Sequence, residues 1–263
     1  MRVTVRDLIR FKAEGRKFPV LTAYDFLTAS ILDEAGIPVL LVGDTLGQVV
    51  LGYETTLPVT MEEMIHHTAA VARGARSAMV VADMPFGSYQ GSVREGFENA
   101  VRFLKEAGAS AVKIEGPRLE LTQMLVEHGI PVVGHLGLTP QSVHALGGYR
   151  VQGRTPESAD RLQSDALSMQ KAGATALVLE AIPETLGRSI SSALAIPTIG
   201  IGAGSGCDAQ VLVITDLLGM GAGAPPKFVK PYANLRETIG QAVRAFKTDV
   251  EEGRFPGEAQ TYR

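Results

Sequence analysis

Tryptophan is absent from this chain of 263 residues, and cysteine occurs once, as Cys207. A single cysteine excludes a disulfide bond within the chain, which fits a reducing compartment and leads us to expect a cytoplasmic protein. No base lies near Cys207 in the sequence, so we expect no catalytic role for it.

Strong charge of one sign and long apolar runs are also missing. The chain has 25 Lys and Arg against 28 Asp and Glu, a net charge of -3, which gives no basic footprint for nucleic acid. No apolar stretch is long enough to span a bilayer, and the charged first residues lack the apolar segment of a signal peptide. We therefore expect small-molecule partners, neither nucleic acid nor membrane, and one domain over residues 1–263.

What the sequence does have is a series of short apolar runs that end on a carboxylate. Four of them end on Asp44, Asp83, Glu115 and Glu180, and VLTAYD, which ends on Asp25, fits the same pattern. Buried parallel strands read as continuous apolar runs. An acid at the end of such a strand is costly unless a metal, a cation or a proton compensates it. In a barrel these ends would form one acidic face, where such barrels carry their chemistry.

Strands and helices alternate along the chain. Capping boxes are predicted at Thr60 with Glu63 and at Ser92 with Glu95, and Thr155-Pro156 begins another helix. A helix near 5–14 precedes the first strand and would cover the bottom of a barrel, and 233–252 is helical. The eight predicted strands are 20–25, 39–44, 78–84, 111–115, 131–135, 176–181, 197–202 and 211–215.

A weak internal repeat supports this order. EAGASAVKIEG (106–116) resembles KAGATALVLEA (171–181), and EAGIPVLLVGD (34–44) is a looser copy. Each copy contains a helix end, a glycine, a strand and an acid. Repeated helix–strand units favour an α/β fold of the (βα)8 TIM barrel type. An open doubly wound sheet is the alternative, because any α/β protein can repeat such phrases.

The order of the strands predicts a metal site. Asp44, Asp83 and Glu115 would end neighbouring strands, which lie about 4.8 Å apart. Three hard oxygen ligands at that spacing suit Mg²⁺, bound directly or through retained water. Ligands for softer metals are lacking, since there is no cysteine pair, and the adjacent His66 and His67 are better explained as surface or packing residues.

Lys113 lies two residues before Glu115, so both side chains point to the same face of one strand. A lysine within a strand is unusual as plain core. It could bind an anionic substrate, or form a buried ion pair with one of the acids, and the two roles can coexist.

Glu180 would end a strand across the barrel from Asp44. A carboxylate that faces a metal-bound substrate across a partly apolar site is a suitable general base; a structural acid bonded to backbone amides is the alternative. His135 could orient an acid or donate to substrate, and a supporting role is the safer interpretation. The glycines of GIGAGSG (200–206) could form an anion site or a tight turn.

The chain resembles the ketopantoate hydroxymethyltransferase family nearly end to end. The motifs together are highly specific, although no single one is. They are LTAYD (21–25), LVGDTLGQVVLGYETTLPVT (41–60), VVADMPFGSY (80–89), VKIEG (112–116), GHLGLTPQSVHALGGYRVQG (134–153), LVLEAIP (177–183), IPTIGIGAG (196–204), PPKFVK (225–230) and FPGE (255–258).

This resemblance implies a barrel of the phosphoenolpyruvate/pyruvate superfamily type, Mg²⁺, 5,10-methylenetetrahydrofolate as co-substrate, and a homodecamer. It implies Glu180 as the proton acceptor. Thr45 stands where serine is expected, which keeps the hydroxyl and the backbone amide. The residues implied to be linked to the metal are Asp44, Asp83 and Glu115, and those implied to contact substrate are Asp44, Thr45, Asp83 and Lys113.

The expected reaction transfers a hydroxymethyl group from the folate to 3-methyl-2-oxobutanoate, giving 2-dehydropantoate through a magnesium-stabilised enolate, as in pantothenate biosynthesis. Two alternatives stay open. One is a lyase or aldolase that acts on 2-oxo acids with the same scaffold. The other is a non-catalytic, metal-dependent protein that binds carboxylates. No short motif indicates the residues of a folate pocket.

Overall fold

Eight parallel strands close into a barrel in a computed structural model that describes residues 2–262. Each strand pairs with its neighbours in chain order, and the last strand pairs with the first. The (βα)8 barrel is therefore confirmed, and the open sheet was the wrong alternative. The strands are β1 Phe18–Thr22, β2 Val39–Val42, β3 Met79–Asp83, β4 Ala111–Glu115, β5 Val132–Gly137, β6 Ala176–Glu180, β7 Thr198–Ile201 and β8 Ala209–Leu212.

Helices connect most of the strands. The Thr60 hydroxyl accepts from the Glu63 N–H, and the Glu63 carboxylate accepts from the Thr60 N–H, so the predicted capping box is confirmed. The helices are α1 Val5–Ala13, α2 Phe26–Glu34, α3 Leu46–Val49, α4 Met61–Gly74, α5 Val93–Lys105, α6 Leu119–Glu127, α7 Val143–Leu146, α8 Pro156–Lys171, α9 Glu184–Ala193, α10 Ile214–Leu217 and α11 Leu235–Glu251, with 3-10 turns at Pro140–Ser142 and Glu258–Gln260.

Two predicted strands were misplaced. The first lies at Phe18–Thr22, because Asp25 caps α2: its carboxylate accepts from the Thr28 N–H at 2.8 Å and from the Thr28 hydroxyl at 2.7 Å. Asp25 is exposed and does not belong to the acidic face. The last strand lies at Ala209–Leu212, because Val213 is already the N-cap of α10, which begins at Ile214.

Buried aliphatic side chains fill the barrel. A cavity of about 10 Å³ is lined by Val20, Val39, Val81, Val133 and Val178 together with Lys113, which is at the lower limit of the volume that holds one water molecule. The interior is therefore a packed core, and the polar chemistry is confined to the ends of the strands.

Helix α1 covers one end of this core, as predicted. Leu8 and Phe11 are buried in the same cluster as the interior strand residues. Beside them, Lys12 donates to the Asp208 carboxylate at 2.7 Å. Asp208 also accepts from the backbone N–H of Thr198, at the start of β7, at 2.9 Å, and from the Ser191 hydroxyl at 3.1 Å.

We expect Asp208→Asn to lower the free energy of unfolding by about 1–3 kcal/mol at neutral pH, because Lys12 and Thr198 lose a charged acceptor. Burial would raise the pKa of Asp208, but the hydrogen bonds from Lys12 and Thr198 hold it below its ordinary value. This contribution is therefore present at neutral pH and is lost as the pH falls through that lowered pKa. Urea unfolding at neutral and at acid pH measures it.

The exposed Asp160 on α8 gives a matched control, since Asp160→Asn should change the unfolding free energy by less than about 0.5 kcal/mol. If the difference in unfolding free energy between wild type and Asp208→Asn stayed equally large at acid pH, it would not come from the charge of Asp208.

The chain divides into two compact units, one that ends at Leu212 and one that begins at Val213. The first contains the whole barrel. The second contains α10 and α11, and no residue of α11 is buried. The expectation of one domain over the chain stays a prediction. Among residues 2–262, no helix has the length and apolar character needed to cross a membrane.

Candidate active site

Three of the four predicted acids are the last residues of their strands: Asp83 in β3, Glu115 in β4 and Glu180 in β6. Asp44 follows β2 by two residues. Parallel register sets Asp83 beside Lys113 and Glu115 beside His135. The sequence pattern therefore brings all these side chains to one end of the barrel.

Lys113 is buried, and its ammonium lies next to two acids. Its ammonium donates to both Asp83 oxygens, at 2.7 and 2.8 Å, and lies 3.6 Å from Glu115 Oε1. Burial alone would lower the pKa of Lys113, but the field of Asp83, Glu115 and Asp44 raises it. The predicted alternative of a buried ion pair is therefore present. Lys113 is a cation within the acidic cup, the group formed by Asp44, Asp83, Glu115 and Glu180 at the ends of the strands.

Asp44 is 2% exposed and has weak compensation for its charge. Its carboxylate accepts from the Gln141 side chain at 3.0 Å, while its own N–H donates to Asp83 Oδ2 at 3.3 Å. Burial and repulsion from Asp83 and Glu115 hold the pKa of Asp44 well above its ordinary value. A nearby cation would relieve this repulsion.

His135 lies between two acids. Its Nδ1 is 3.3 Å from Glu115 Oε1, and its Nε2 is 3.3 Å from Glu180 Oε2. Burial and Lys113 lower the pKa of His135, but the contacts with Glu115 and Glu180 outweigh them and raise it to about 9. At neutral pH the ring is therefore a cation that links the acid on β4 to the acid on β6.

The backbone around Glu180 is unusual. Ala181, the next residue, has a φ of +47°, a left-handed conformation that costs a non-glycine residue about 1 kcal/mol. The Ala181 N–H donates to the Ile201 carbonyl at 2.9 Å, and its carbonyl accepts from the Gln152 N–H at 2.9 Å. At Gly137, a Cβ atom would lie 2.3 Å from the Glu180 carbonyl oxygen. These constraints fix the backbone next to Glu180, and the contact with His135 is the one that positions its carboxylate.

Thr45 directly follows Asp44 and is the residue before α3. Its hydroxyl shares a hydrogen bond of 2.8 Å with the Tyr24 hydroxyl, and its position next to Asp44 in the chain places it at the edge of the cup. His67 contacts the Tyr24 carbonyl through Nδ1 at 2.6 Å, whereas His66 is exposed. Both histidines therefore have the packing and surface positions that were expected.

Sequence reasoning missed Gln141, which lies in the 3-10 turn after β5 and is 5% exposed. Its side chain binds Asp44, and its backbone N–H donates to Glu115 Oε2 at 3.0 Å. A glutamine in a turn carries no strand-end signal. Only its occurrence within the GHLGLTPQSVH motif could have singled it out.

The glycines of GIGAGSG form a tight turn against α9. A Cβ atom at Gly204 would lie 2.3 Å from Glu184 Cγ, and one at Gly206 would lie 2.7 Å from Arg188 Cβ. Close packing of this turn on the helix therefore accounts for glycine at both positions.

The charges of the cup are unbalanced. Among the residues that the structure describes, Asp44, Asp83, Glu115 and Glu180 face two cations, Lys113 and His135, so with all four acids ionised the group carries a formal charge of −2. Within residues 2–262, no three His, Cys, Asp or Glu side chains converge in the way needed to hold a metal ion. Two carboxylates do suit Mg²⁺, which typically uses one or two carboxylates and keeps several waters. Asp44 and Asp83 fit this role, and its charge matches the excess.

The fold and the acidic cup define a barrel that could bind a small anionic substrate at the carboxyl ends of its strands. The family model of ketopantoate hydroxymethyltransferase matches residues 2–258. The chain belongs to this family.

Two relatives support the assignment over almost the whole chain. The 3-methyl-2-oxobutanoate hydroxymethyltransferase of Syntrophus aciditrophicus (strain SB) is 54% identical, over 99% of this chain and 97% of the relative. The protein of the same name from Streptomyces avermitilis is 55% identical, over 98% of this chain and 90% of the relative.

Solved structures at low identity confirm the fold. A 2,3-dimethylmalate lyase, a member of the PEP mutase/isocitrate lyase superfamily, has a TM-score of 0.62 at 15% identity, over 99% of this chain and 89% of its own. A phosphonopyruvate hydrolase in complex with oxalate and Mg²⁺ has a TM-score of 0.60 at 15% identity, over 99% and 92%.

Proposed function

We propose that this chain transfers a hydroxymethyl group from 5,10-methylenetetrahydrofolate to 3-methyl-2-oxobutanoate and so forms 2-dehydropantoate for pantothenate biosynthesis. The observation that carries the proposal is the position of Glu180, on the strand opposite β2 in the ring, facing a cup with an excess of negative charge. The names of the relatives support the choice of substrate.

Asp44 and Asp83 would hold Mg²⁺ directly, and Glu115 would act through a retained water, since Mg²⁺ typically uses one or two carboxylates and keeps several waters. When bound, the ion would act as a Lewis acid on the 2-oxo acid. The phosphonopyruvate hydrolase of similar fold was solved as a complex with oxalate and Mg²⁺, a small carboxylate together with this metal.

Glu180 is the proposed general base. His135 lies beside Oε2, which leaves Oε1 to take the proton from C3 of the substrate. Lys113 would contribute positive charge close to the enolate oxygen. Thr45, at the edge of the cup, is proposed to bind the substrate with Asp44, Asp83 and Lys113. The enolate carbon then forms the new C–C bond with the one-carbon unit of the folate, water supplies the hydroxyl oxygen, and tetrahydrofolate leaves.

We also propose that the protein acts in the cytoplasm as a homodecamer. The family resemblance suggests this assembly, and large apolar side chains support an association. Leu27 and Ile31 on α2 are 70% and 64% exposed, and Val243 and Phe246 on α11 are 60% and 56% exposed. Patches of this kind typically mark protein–protein contacts.

Proton exchange tests the proposal most directly. In D₂O with Mg²⁺ and no folate, the protein should exchange the C3 proton of 3-methyl-2-oxobutanoate for deuterium, because Glu180 acts before the folate is needed. Proton NMR follows the loss of the C3 signal. Addition of 5,10-methylenetetrahydrofolate should then yield 2-dehydropantoate.

Proton exchange, together with substrate cleavage and folate binding, distinguishes the transferase from the two alternatives. A lyase on this scaffold would cleave a longer 2-oxo acid and would bind no tetrahydrofolate in a calorimetric titration. A non-catalytic carboxylate-binding protein would bind the 2-oxo acid without exchanging its proton. Either result would replace the proposed transferase.

A further inference from the structure

Gln141 places one buried amide between the ends of two strands. Its Nε2 donates to Asp44 Oδ2 at 3.0 Å and to the Met84 carbonyl at 2.8 Å. Met84 directly follows β3, so this one group ties the residue after β2 to the residue after β3. Both of its N–H donors are used.

The amide has only one orientation that satisfies its neighbours. Its Oε1 accepts from the Tyr89 hydroxyl at 2.7 Å and from Gln90 Nε2 at 3.0 Å. The Tyr89 hydroxyl donates to Gln141 and accepts from the Glu115 N–H at 2.9 Å. A flipped amide would oppose its oxygen to the Asp44 carboxylate and the Met84 carbonyl, and its N–H groups to the Gln90 amide donor.

The backbone of Gln141 completes the frame. Its N–H donates to Glu115 Oε2 at 3.0 Å, so a single residue holds Asp44 with its side chain and Glu115 with its main chain. Tyr89 binds both Gln141 and the N–H of Glu115. The ends of β2, β3 and β4 are thus connected through Gln141 and Tyr89.

We infer that Gln141 is a positioning residue that holds Asp44 in the orientation needed to bind a divalent cation, with Tyr89 fixing the direction of its amide. This inference rests on the proposed function for the identity of the site. Gln141 is not one of the four acids, but it would determine the orientation of Asp44, one of the two proposed direct ligands.

The surroundings of Asp44 explain why it needs such a partner. The carboxylate is buried beside Asp83, and the Gln141 amide donates to it at 3.0 Å. Without this donor the carboxylate could rotate, and a change in its orientation removes a ligand. Oδ2 is engaged by Gln141, which leaves Oδ1 as the oxygen offered to a cation.

Gln141→Met tests the inference, because methionine keeps the length and volume of the side chain but removes its four side-chain hydrogen bonds. The backbone hydrogen bond to Glu115 is kept. Loss of a partner that orients a metal ligand typically costs about 10–100-fold in metal affinity. We expect the dissociation constant of Mn²⁺ to rise by that factor, as measured by electron paramagnetic resonance on the whole protein without substrate. In C3 exchange, the KM for the 2-oxo acid should rise more than kcat falls, and added Mg²⁺ should restore much of the rate.

Tyr89→Phe removes one oxygen and leaves the packing intact. It should lower the Mn²⁺ affinity in the same direction by a smaller factor, because Gln90 still holds the amide. The exposed Gln123 on α6 gives the matched control: Gln123→Glu should bind Mn²⁺ as the wild type does.

Wild-type Mn²⁺ affinity in Gln141→Met would overturn the inference, and so would a wild type that binds no Mn²⁺. If Gln141→Met does not fold, Tyr89→Phe decides, and an unchanged affinity there would count against the inference. Failure of the proposed function gives a different result: the wild type would then exchange no C3 proton, whatever the Mn²⁺ affinities of the variants.

Discussion

Glu180→Gln should lower both hydroxymethyl transfer and C3 deuterium exchange by about 10²–10⁴-fold, the usual contribution of a positioned general base. Glutamine keeps the shape of the side chain and its contact with His135, but it cannot accept the proton. The affinities for Mg²⁺ and for the 2-oxo acid should change little, because Glu180 is not a proposed ligand. Exchange rates by NMR and binding by calorimetry measure the two effects separately.

Glu120→Gln on α6 is the matched control, since Glu120 is exposed and should leave the exchange rate unchanged. Exchange at the wild-type rate in Glu180→Gln would show that another group removes the proton. His135 would be a poor substitute at neutral pH, because its raised pKa, about 9, keeps the ring protonated. A water bound at the metal would then be the next candidate.

The positions of the acids could be predicted because strand ends in a parallel barrel share one face. Asp83, Glu115 and Glu180 end runs that are typical of buried strands, and period-two alternation placed Lys113 on the same face as Glu115. The local pattern was sufficient for these four residues, since each depends on its own strand and on the closure of the barrel.

Asp25 shows where the same pattern misleads. Its apolar run is a strand, but the strand ends three residues earlier, at Thr22. An aspartate followed three residues later by Thr28 can cap a helix, and this local hydrogen bonding determines its position. The apolar run alone does not distinguish an acid on the rim from an acid that caps the next helix.

The hydrogen bonds that Gln141 and Tyr89 make around the acids could not be predicted from the pattern of apolar runs. Gln141 and Tyr89 lie far apart in the chain and meet only because β3 and β5 flank β4 in the barrel. Neither residue type marks a strand end. The sequence also gives no sign of the positive φ of Ala181, because alanine usually avoids this conformation. Contacts that depend on tertiary structure leave no local signal.

Asp44→Asn should weaken the binding of Mg²⁺ and of the 2-oxo acid by at least about 100-fold, the upper range for loss of an orienting partner, because here a direct ligand is lost. Asp83→Asn should do the same and should also release Lys113. Chelation of the wild type should abolish exchange, and added Mg²⁺ should restore it. Calorimetric titration of each variant with Mg²⁺ and then with 3-methyl-2-oxobutanoate measures both affinities.

Stability distinguishes lost binding from a damaged fold. Burial and repulsion raise the pKa of Asp44, so at neutral pH its charge destabilises the metal-free protein, and this penalty grows as the pH rises above the ordinary range of an aspartate. In the presence of a chelator, Asp44→Asn should therefore unfold at a higher urea concentration than the wild type, although it binds the metal less tightly. Asp160→Asn should change neither property. An Asp44→Asn protein that is less stable in chelator, or that retains wild-type affinity for Mg²⁺, would contradict the assignment of Asp44 as a buried acid whose charge the metal compensates.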